Sequence, residues 1–135
     1  MTQKKIVHAL NQCREALEKL AESLHVLKKT KDNEIKEILT DACIKRFEIL
    51  FEYAWKLLKI CVEFQGQEAP GPRPAIQEAS RFGWIKDLDL WADALDARNG
   101  SVHDYFGISH TEYVKLIERF SDEIKLLLPK LEKVK

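Results

Sequence analysis

Hydrophobic side chains at the start of the chain repeat with alternating steps of four and three positions. The set is Ile6, Leu10, Cys13, Leu17, Leu20, Leu24 and Leu27. Lysine and glutamate fill the opposite face. Such steps return a side chain to one face of an α-helix, so the pattern predicts a long amphipathic helix with a heptad seam. The polar run KKTKDN ends it, and Asp32 or Asn33 can cap the next helix.

A second helix is predicted from about Asn33 to Phe64, with hydrophobic residues on two sides. One stripe, interrupted by Arg46, holds Ile35, Leu39, Ala42, Ile49, Tyr53, Leu57, Ile60 and Phe64. A second set, which widens the face, is Phe47, Leu50, Ala54 and Leu58. A helix that is apolar on two sides packs against two neighbours, and it can also line a dimer interface. Because Arg46 interrupts an apolar stripe, we expect it to have a partner, either Glu52 or a group near Arg98.

The segment GQEAPGPRP, residues 66–74, interrupts the helical pattern, because proline and glycine do not continue a helix. Pro74 suits the first turn of a short helix that ends near Gly83. Asp87 can cap a fourth helix, whose predicted apolar face is Leu88, Trp91 and Leu95.

The last helix is predicted after Gly107, where Ser109 and Glu112 have the spacing of a capping box. Its inner stripe is Val114, Ile117, Phe120, Ile124 and Leu127. Pro129 should end or kink it. We therefore predict an all-α fold, an antiparallel up-and-down bundle of four main helices plus a short helix, in a single domain over residues 1–135.

Charge and composition narrow the classes of function. The chain carries 22 basic and 22 acidic residues, so it has no global positive field to attract nucleic acid, and any RNA contact must be local. The three cysteines form no Cys-x-x-Cys pair, and the histidines lack the spacing of metal ligands. We predict buried thiols, no metal and no cofactor. The sequence lacks a signal-peptide block and an apolar run long enough to cross a membrane, which favours a cytoplasmic protein without membrane contact.

The stretch RNGSVHDY, residues 98–105, holds the residue types best suited to chemistry. Arg98 and His103 are about 140° apart around an ideal helix, so they do not converge on one small group without help. A distortion at Asn99 and Gly100 could bring them together, and so could a second copy of the chain across a two-fold axis. The alternative is structural, with Arg98 paired to a neighbouring aspartate and His103 on the surface.

If Arg98 and His103 do converge, the pair suits metal-free cleavage of RNA. Arginine offers a planar fork of donors for phosphate oxygens, and histidine moves protons near neutral pH. Asn99 could orient either partner. Tyr105 either packs at a helix end or presents a phenol open to modification. Walker, dinucleotide-binding and nucleotidyltransferase signatures are missing, so the chain is not expected to transfer nucleotides itself.

Several motifs in this order resemble a known family. They are IKRFEILFEYAWKLLK with the proline-rich connection after it, the A-x-x-x-G-W-I stretch from Ala79 to Ile85, Trp91, and the closing R-N-x-x-x-H-x-Y. Together they resemble the nucleotidyltransferase substrate-binding proteins of the HEPN superfamily, which are similar to the HepT toxins of HepT/MntA modules. The resemblance covers about residues 4–130.

The resemblance implies a bundle that forms a homodimer and acts with a separate minimal, MntA-like nucleotidyltransferase. It implies a metal-independent ribonuclease site at Arg98 and His103, with Asn99 as the polar residue after the arginine. It also implies that the partner adds AMP to Tyr105 and thereby silences a toxin. Residues in supporting or interface positions are Arg46, Glu48, Tyr53 and Trp91. Relatives often carry Thr-Ser before the histidine, whereas this chain has Gly100-Ser101-Val102.

Three functions follow as hypotheses. The first is a HEPN-type endoribonuclease in a toxin–antitoxin module, silenced by AMP on Tyr105. The second is a non-catalytic subunit that presents a substrate to a two-component nucleotidyltransferase. The third is a helical adaptor without a small-molecule site, which a buried and salt-bridged Arg98 together with a His103 remote from any cleft would favour.

Overall fold

The computed structural model describes residues 2–100 and 110–134. These residues form helices throughout, joined by short connections. The helices are α1 (Thr2–Lys29), α2 (Asn33–Phe64), α3 (Pro72–Arg81), α4 (Leu88–Gly100) and α5 (His110–Glu132). The predicted all-α bundle is confirmed. The short helix α3 is present, but it begins at Pro72, inside the segment 66–74 that was expected to be non-helical, because proline is tolerated in the first turn of a helix.

The predicted caps explain where α2 and α4 begin. The Asp32 side chain accepts hydrogen bonds from the backbone N–H groups of Glu34 (2.9 Å) and Ile35 (3.2 Å), so Asp32, not Asn33, caps α2. The Asp87 carboxylate accepts from the N–H of Leu90 at 3.0 Å. Each cap satisfies backbone donors that the first turn of a helix cannot pair internally.

Contacts between the long helices show that α1 runs antiparallel to both α2 and α5. Along α1 and α2, Cys43 Sγ lies 3.4 Å from Ser23 Oγ, and Arg46 Nη1 donates to the Lys19 carbonyl at 2.6 Å. Residue numbers therefore fall on α1 as they rise on α2. The same holds for α1 and α5, where Lys28 pairs with Glu118 (3.2 Å) and Arg14 pairs with Glu132.

Helix α2 lies in the middle of the bundle and contacts all four other helices. An aromatic cluster joins it to α4 and α5: its members are Phe47, Phe51, Trp91, Tyr113 and Phe120. The Trp91 ring meets Phe120 edge to face, with centroids 4.8 Å apart. The Tyr113 hydroxyl donates to the Ala97 carbonyl at 3.2 Å, which ties α5 to the last turns of α4. This cluster fixes where the end of α4 lies on α2.

The burial of the two predicted apolar sets of α2 differs from the prediction. The set expected only to widen the face, Phe47, Leu50, Ala54 and Leu58, is fully buried. The expected main stripe is only partly buried: Ile35 is 49% exposed and Ile49 is 40% exposed, while Leu57 is buried. Tyr53, Ile60 and Phe64 are partly buried and pack against the core. The reason is that α1 and α5 together cover one side of α2, and the apolar stripes of these two helices are buried there.

Two smaller predictions concern single residues. Of the two effects expected of Pro129, an end or a kink of α5, the end is excluded, because the helix continues to Glu132. The buried side chains of Leu128 and Leu131 hold its last turn against the core despite the lost backbone hydrogen bond. Leu88, expected on the inner face of α4, is 40% exposed. No helix in the two described ranges is long and apolar enough to cross a membrane.

Candidate functional site

The last turn of α4 places two of the predicted site residues side by side. Arg98 Nη1 donates a hydrogen bond to Asn99 Oδ1 at 3.0 Å. Arg98 Nη2 forms an ion pair with Glu52 Oε1 of α2. Both terminal nitrogens of the guanidinium therefore contact oxygen acceptors, one from its own helix and one from the central helix. A cation in the last turn of a helix is also favoured by the helix dipole.

Glu52 is itself held by neighbours one turn further along α2. Its Oε2 accepts a hydrogen bond from Trp55 Nε1 at 3.2 Å and lies 3.7 Å from Lys56 Nζ. Residues three and four positions apart share a helix face, which is why α2 can supply all of these groups. The Trp55 side chain packs partly against the core, so it anchors the carboxylate to a rigid part of the bundle.

The arginine and the glutamate are half-buried. The side chain of Arg98 is 30% exposed and that of Glu52 is 32% exposed. The pair is shielded enough to keep its geometry, yet the guanidinium is not sealed in the core. With Lys56, two cations lie beside the Glu52 carboxylate, and Glu48 lies one turn before it on the same face of α2. The Arg98 guanidinium offers a phosphate group a planar set of donors.

Two of the predicted site residues, His103 and Tyr105, lie outside the described residues. The prediction that Arg46 pairs with Glu52 or the Arg98 cluster is wrong, because Arg46 donates instead to the Lys19 carbonyl at 2.6 Å. The reason is angular: Arg46 and Glu52 are about 120° apart around α2. Arg46 therefore faces α1 while Glu52 faces α4.

The other predicted supporting residues lie in different surroundings. Glu48 is half-buried one turn before Glu52 on the same face of α2. Tyr53 is half-buried and packs against the core. Trp91 is fully buried in the aromatic cluster, so it supports α4 from inside the bundle and does not face a ligand.

Sequence reasoning missed the pairing of Glu52 with Arg98. A signal was present, since Glu52 stands inside the apolar run ILFEYAW, residues 49–55. A carboxylate in such a run usually needs a cationic partner. The sequence could not say which arginine that partner is, because the choice depends on where α4 crosses α2.

The cysteines offer no nucleophile. Cys13, Cys43 and Cys61 are free and buried, as predicted. Burial raises the pKa of the Cys13 and Cys61 thiols to about 12, and burial also raises the pKa of Cys43. Thiols with such pKa values stay protonated near neutral pH and do not react. Within the part of the chain that the structure describes, no group of His, Cys, Asp and Glu could hold a metal ion.

Comparisons with known proteins agree with this fold. The chain is 28% identical over 102 residues to a protein of Haemophilus influenzae named "Probable ribonuclease HepT", a match that covers 72% of this chain and 70% of that one. A crystal structure of a Thermus thermophilus protein superposes with a TM-score of 0.67 at 26% identity, covering 84% of this chain and 99% of the other. A family model described as "Nucleotidyltransferase substrate binding protein like" matches residues 7–133. The chain therefore belongs to the family of nucleotidyltransferase substrate binding-like proteins.

Proposed function

We propose that this protein is a HepT-like endoribonuclease of a toxin–antitoxin module, acting as a homodimer and silenced when a separate nucleotidyltransferase adds AMP to Tyr105. The observation that carries the proposal is the Arg98 guanidinium, half-buried and held by Glu52 and Asn99 at the end of α4. The similarity to the protein named "Probable ribonuclease HepT" supports the activity, and the family description supports the partner.

The proposed reaction is cleavage of RNA by its own 2′-hydroxyl group. His103 of one protomer takes the 2′-hydroxyl proton, the 2′-oxygen forms a bond to phosphorus, and the bond from phosphorus to the 5′-oxygen breaks. The leaving oxygen takes a proton from the second protomer's copy of the same histidine. Arg98 stabilises the added charge on the phosphate oxygens, as a fork of fixed donors does best.

The exposed side of α2 supports a homodimer next to this site. Ile38 and Ile49 are 67% and 40% exposed, and they lie about 20° apart around the helix. We name the strip formed by Ile35, Ile38, Ala42, Ile49 and Tyr53 the outer face of α2. Glu52 borders this face, so a symmetric dimer formed through it would bring two Arg98 side chains towards one axis.

Silencing by AMP needs only the phenol and a nucleoside triphosphate. The Tyr105 oxygen would attack the α-phosphorus, the bond to the β-phosphate oxygen would break, and pyrophosphate would leave while a base takes the phenol proton. Tyr105 lies two positions after His103 in the sequence. A phosphodiester there would add negative charge and bulk beside the proposed phosphate-binding group, which opposes RNA binding.

Replacement of the proposed base tests the ribonuclease directly. We expect the purified wild-type dimer to cleave single-stranded RNA in buffer with EDTA, and His103→Ala to cleave about 10²–10⁴-fold more slowly. The same nucleotide sequence made with 2′-deoxyribose at every position should resist cleavage, because it lacks the 2′-hydroxyl nucleophile. His25→Ala, which changes an exposed histidine on α1, is the matched control and should cleave like the wild type. Failure of the wild type to cleave any RNA would refute the activity.

Intact mass tests the silencing step. After co-expression with a minimal, MntA-like nucleotidyltransferase, the protein should gain the mass of one or more AMP groups and lose ribonuclease activity. Tyr105→Phe should gain no mass and stay active, whereas Tyr113→Phe, which alters a buried tyrosine, should be modified like the wild type. AMP found on Tyr105→Phe would contradict the assignment of the target.

A second function, a non-catalytic subunit that presents a substrate to a nucleotidyltransferase, is favoured by the family description alone. It predicts that the two chains together transfer a nucleotide to a third molecule and that neither chain does so by itself. A partner that modifies only Tyr105 of this protein would exclude it.

A further inference from the structure

Glu52 links the proposed catalytic arginine to the rigid centre of the bundle. One carboxylate oxygen pairs with Arg98 of α4, and the other accepts from Trp55 Nε1 of α2 at 3.2 Å. Phe51, the residue before Glu52, is fully buried in the aromatic cluster, so the backbone that carries the carboxylate is fixed from inside. Arg98 is therefore connected to the core through a short chain of direct contacts.

An arginine side chain has four rotatable bonds and samples many rotamers when nothing holds it. A carboxylate partner fixes the plane and direction of the guanidinium, and that direction decides which donors reach a phosphate. Glu52 would repel a phosphate if it acted alone, but Lys56 lies 3.7 Å from its Oε2 and offsets that charge. The carboxylate can thus orient Arg98, while Lys56 reduces its repulsion of a phosphate.

We propose that Glu52 is the positioning residue of the ribonuclease site: it acts through Arg98, by holding the guanidinium towards the scissile phosphate of an RNA chain. This inference rests on the proposed function. Glu52 does not touch the substrate, so its loss should lower the rate of the chemical step more than the affinity for RNA.

The variant Glu52→Gln keeps the shape of the side chain and removes its charge and one of its two acceptor oxygens. Arg98 and Trp55 Nε1 both present donors to Glu52. An amide offers one oxygen and one NH2 group, so in either orientation one of these two contacts becomes donor against donor. The variant should therefore weaken the hold of α2 on the guanidinium or turn the guanidinium away, without opening a cavity.

Steady-state kinetics on an RNA oligonucleotide give the first readout. We expect Glu52→Gln to lower kcat about 10- to 100-fold, because small misplacement of a catalytic group is costly, and to change KM less than about threefold. Glu63→Gln is the matched control on the same helix: Glu63 pairs with Lys59 at 3.0 Å on an exposed part of α2. Its kcat should stay within about twofold of the wild type.

A double-mutant cycle with Arg98→Lys separates positioning from a general structural effect. Lysine keeps the charge but has no planar fork to orient, so Glu52→Gln should cost less than about threefold in that background. The Arg98 side-chain N–H signals in NMR spectra should be sharp in the wild type and in Glu63→Gln, and broadened in Glu52→Gln.

Each outcome supports or overturns the inference. Wild-type cleavage with an unchanged kcat in Glu52→Gln would overturn the role of Glu52 and leave the ribonuclease intact. The same fold loss in the wild-type and Arg98→Lys backgrounds would also overturn it, because Glu52 would then act without Arg98. A wild-type protein without any ribonuclease activity refutes the proposed function and this inference with it.

Discussion

The two sides of α2 are both rich in apolar residues, but they have different surroundings. The inner side, with Phe47, Leu50 and Phe51, is fully buried against α1, α4 and α5. The outer face, with Ile38 and Ile49, is exposed along the same helix. Hydrophobicity alone therefore does not assign a role to a side of a helix. The role depends on which side the neighbouring helices cover.

Glu52 lies at the border between these two sides. A carboxylate in the buried aromatic cluster would lose its hydration without compensation, whereas one on the fully exposed face would be screened by water. At the border it keeps Arg98 and Trp55 as partners and remains about one third exposed. The inner side thus supplies rigidity, the outer face is the proposed association surface, and the proposed site lies where they meet.

Removal of a large side chain from the inner side should have the largest effect. Phe51→Ala deletes a ring that packs against Trp91 and Phe120, with centroids 6.2 and 5.6 Å away. We expect the free energy of unfolding to fall by about 3–5 kcal/mol, because a cavity remains. Urea denaturation followed by circular dichroism measures it. Phe82→Ala, at a position 38% exposed, is the control and should cost about 1 kcal/mol or less. Equal losses in both variants would contradict the assignment of the inner side.

A charge on the outer face should break association while the fold survives. Ile49→Lys would place an unpaired ammonium in the proposed dimer interface, and we expect dimerisation to weaken by about 1–3 kcal/mol. Sedimentation over a range of concentrations measures the change in the monomer–dimer equilibrium, and circular dichroism checks the helices.

Val26→Lys is the matched control for that experiment. Val26 lies on α1 and is 43% exposed, close to the 40% of Ile49. It should leave the dimer as it is in the wild type. A dimer that persists in Ile49→Lys, or one that dissociates equally in both variants, would show that the outer face of α2 is not the interface.

The number and type of helices could be predicted because local patterns determine them. The heptad seam of α1 is buried from Ile6 to Leu24, and Asp32 and Asp87 cap the helices they were expected to cap. The choice between the two sides of α2 could not be predicted. Both sides carry enough apolar residues to form a core, and only the packing of α1 and α5 decides between them.

The site, too, could be predicted only where local sequence patterns determine it. The residue types at Arg98 and His103 pointed to phosphate chemistry, with Asn99 able to orient either one. The structure shows Arg98 bonded to Asn99, and His103 lies outside the described residues. The pairing of Arg98 with Glu52 depends on how α4 crosses α2, which the aromatic cluster of Phe51, Trp91 and Phe120 sets. A spacing rule along one helix holds no information about that crossing. For this reason the expected partner of Glu52 was the wrong arginine.

The smallest expected effect concerns Gly100, at the end of the polar cluster. Gly100 is the last residue of α4, and a Cβ atom added there would meet nothing within 4 Å. Gly100→Ala should raise the free energy of unfolding by about 0.4–1 kcal/mol, since alanine restricts the unfolded chain and favours the helix. Gly83→Ala is the opposed control: Gly83 has a φ of 79°, which a side chain disfavours, so this variant should destabilise the protein by a similar amount. Urea midpoints compare the two.

A destabilised Gly100→Ala would mean that the native chain leaves the helix at this point. A stabilised variant that cleaves RNA more slowly would mean that Arg98 and His103 use a bend at Gly100 during the reaction. The proposed site would then have to move, whereas the inner side of α2 stays rigid.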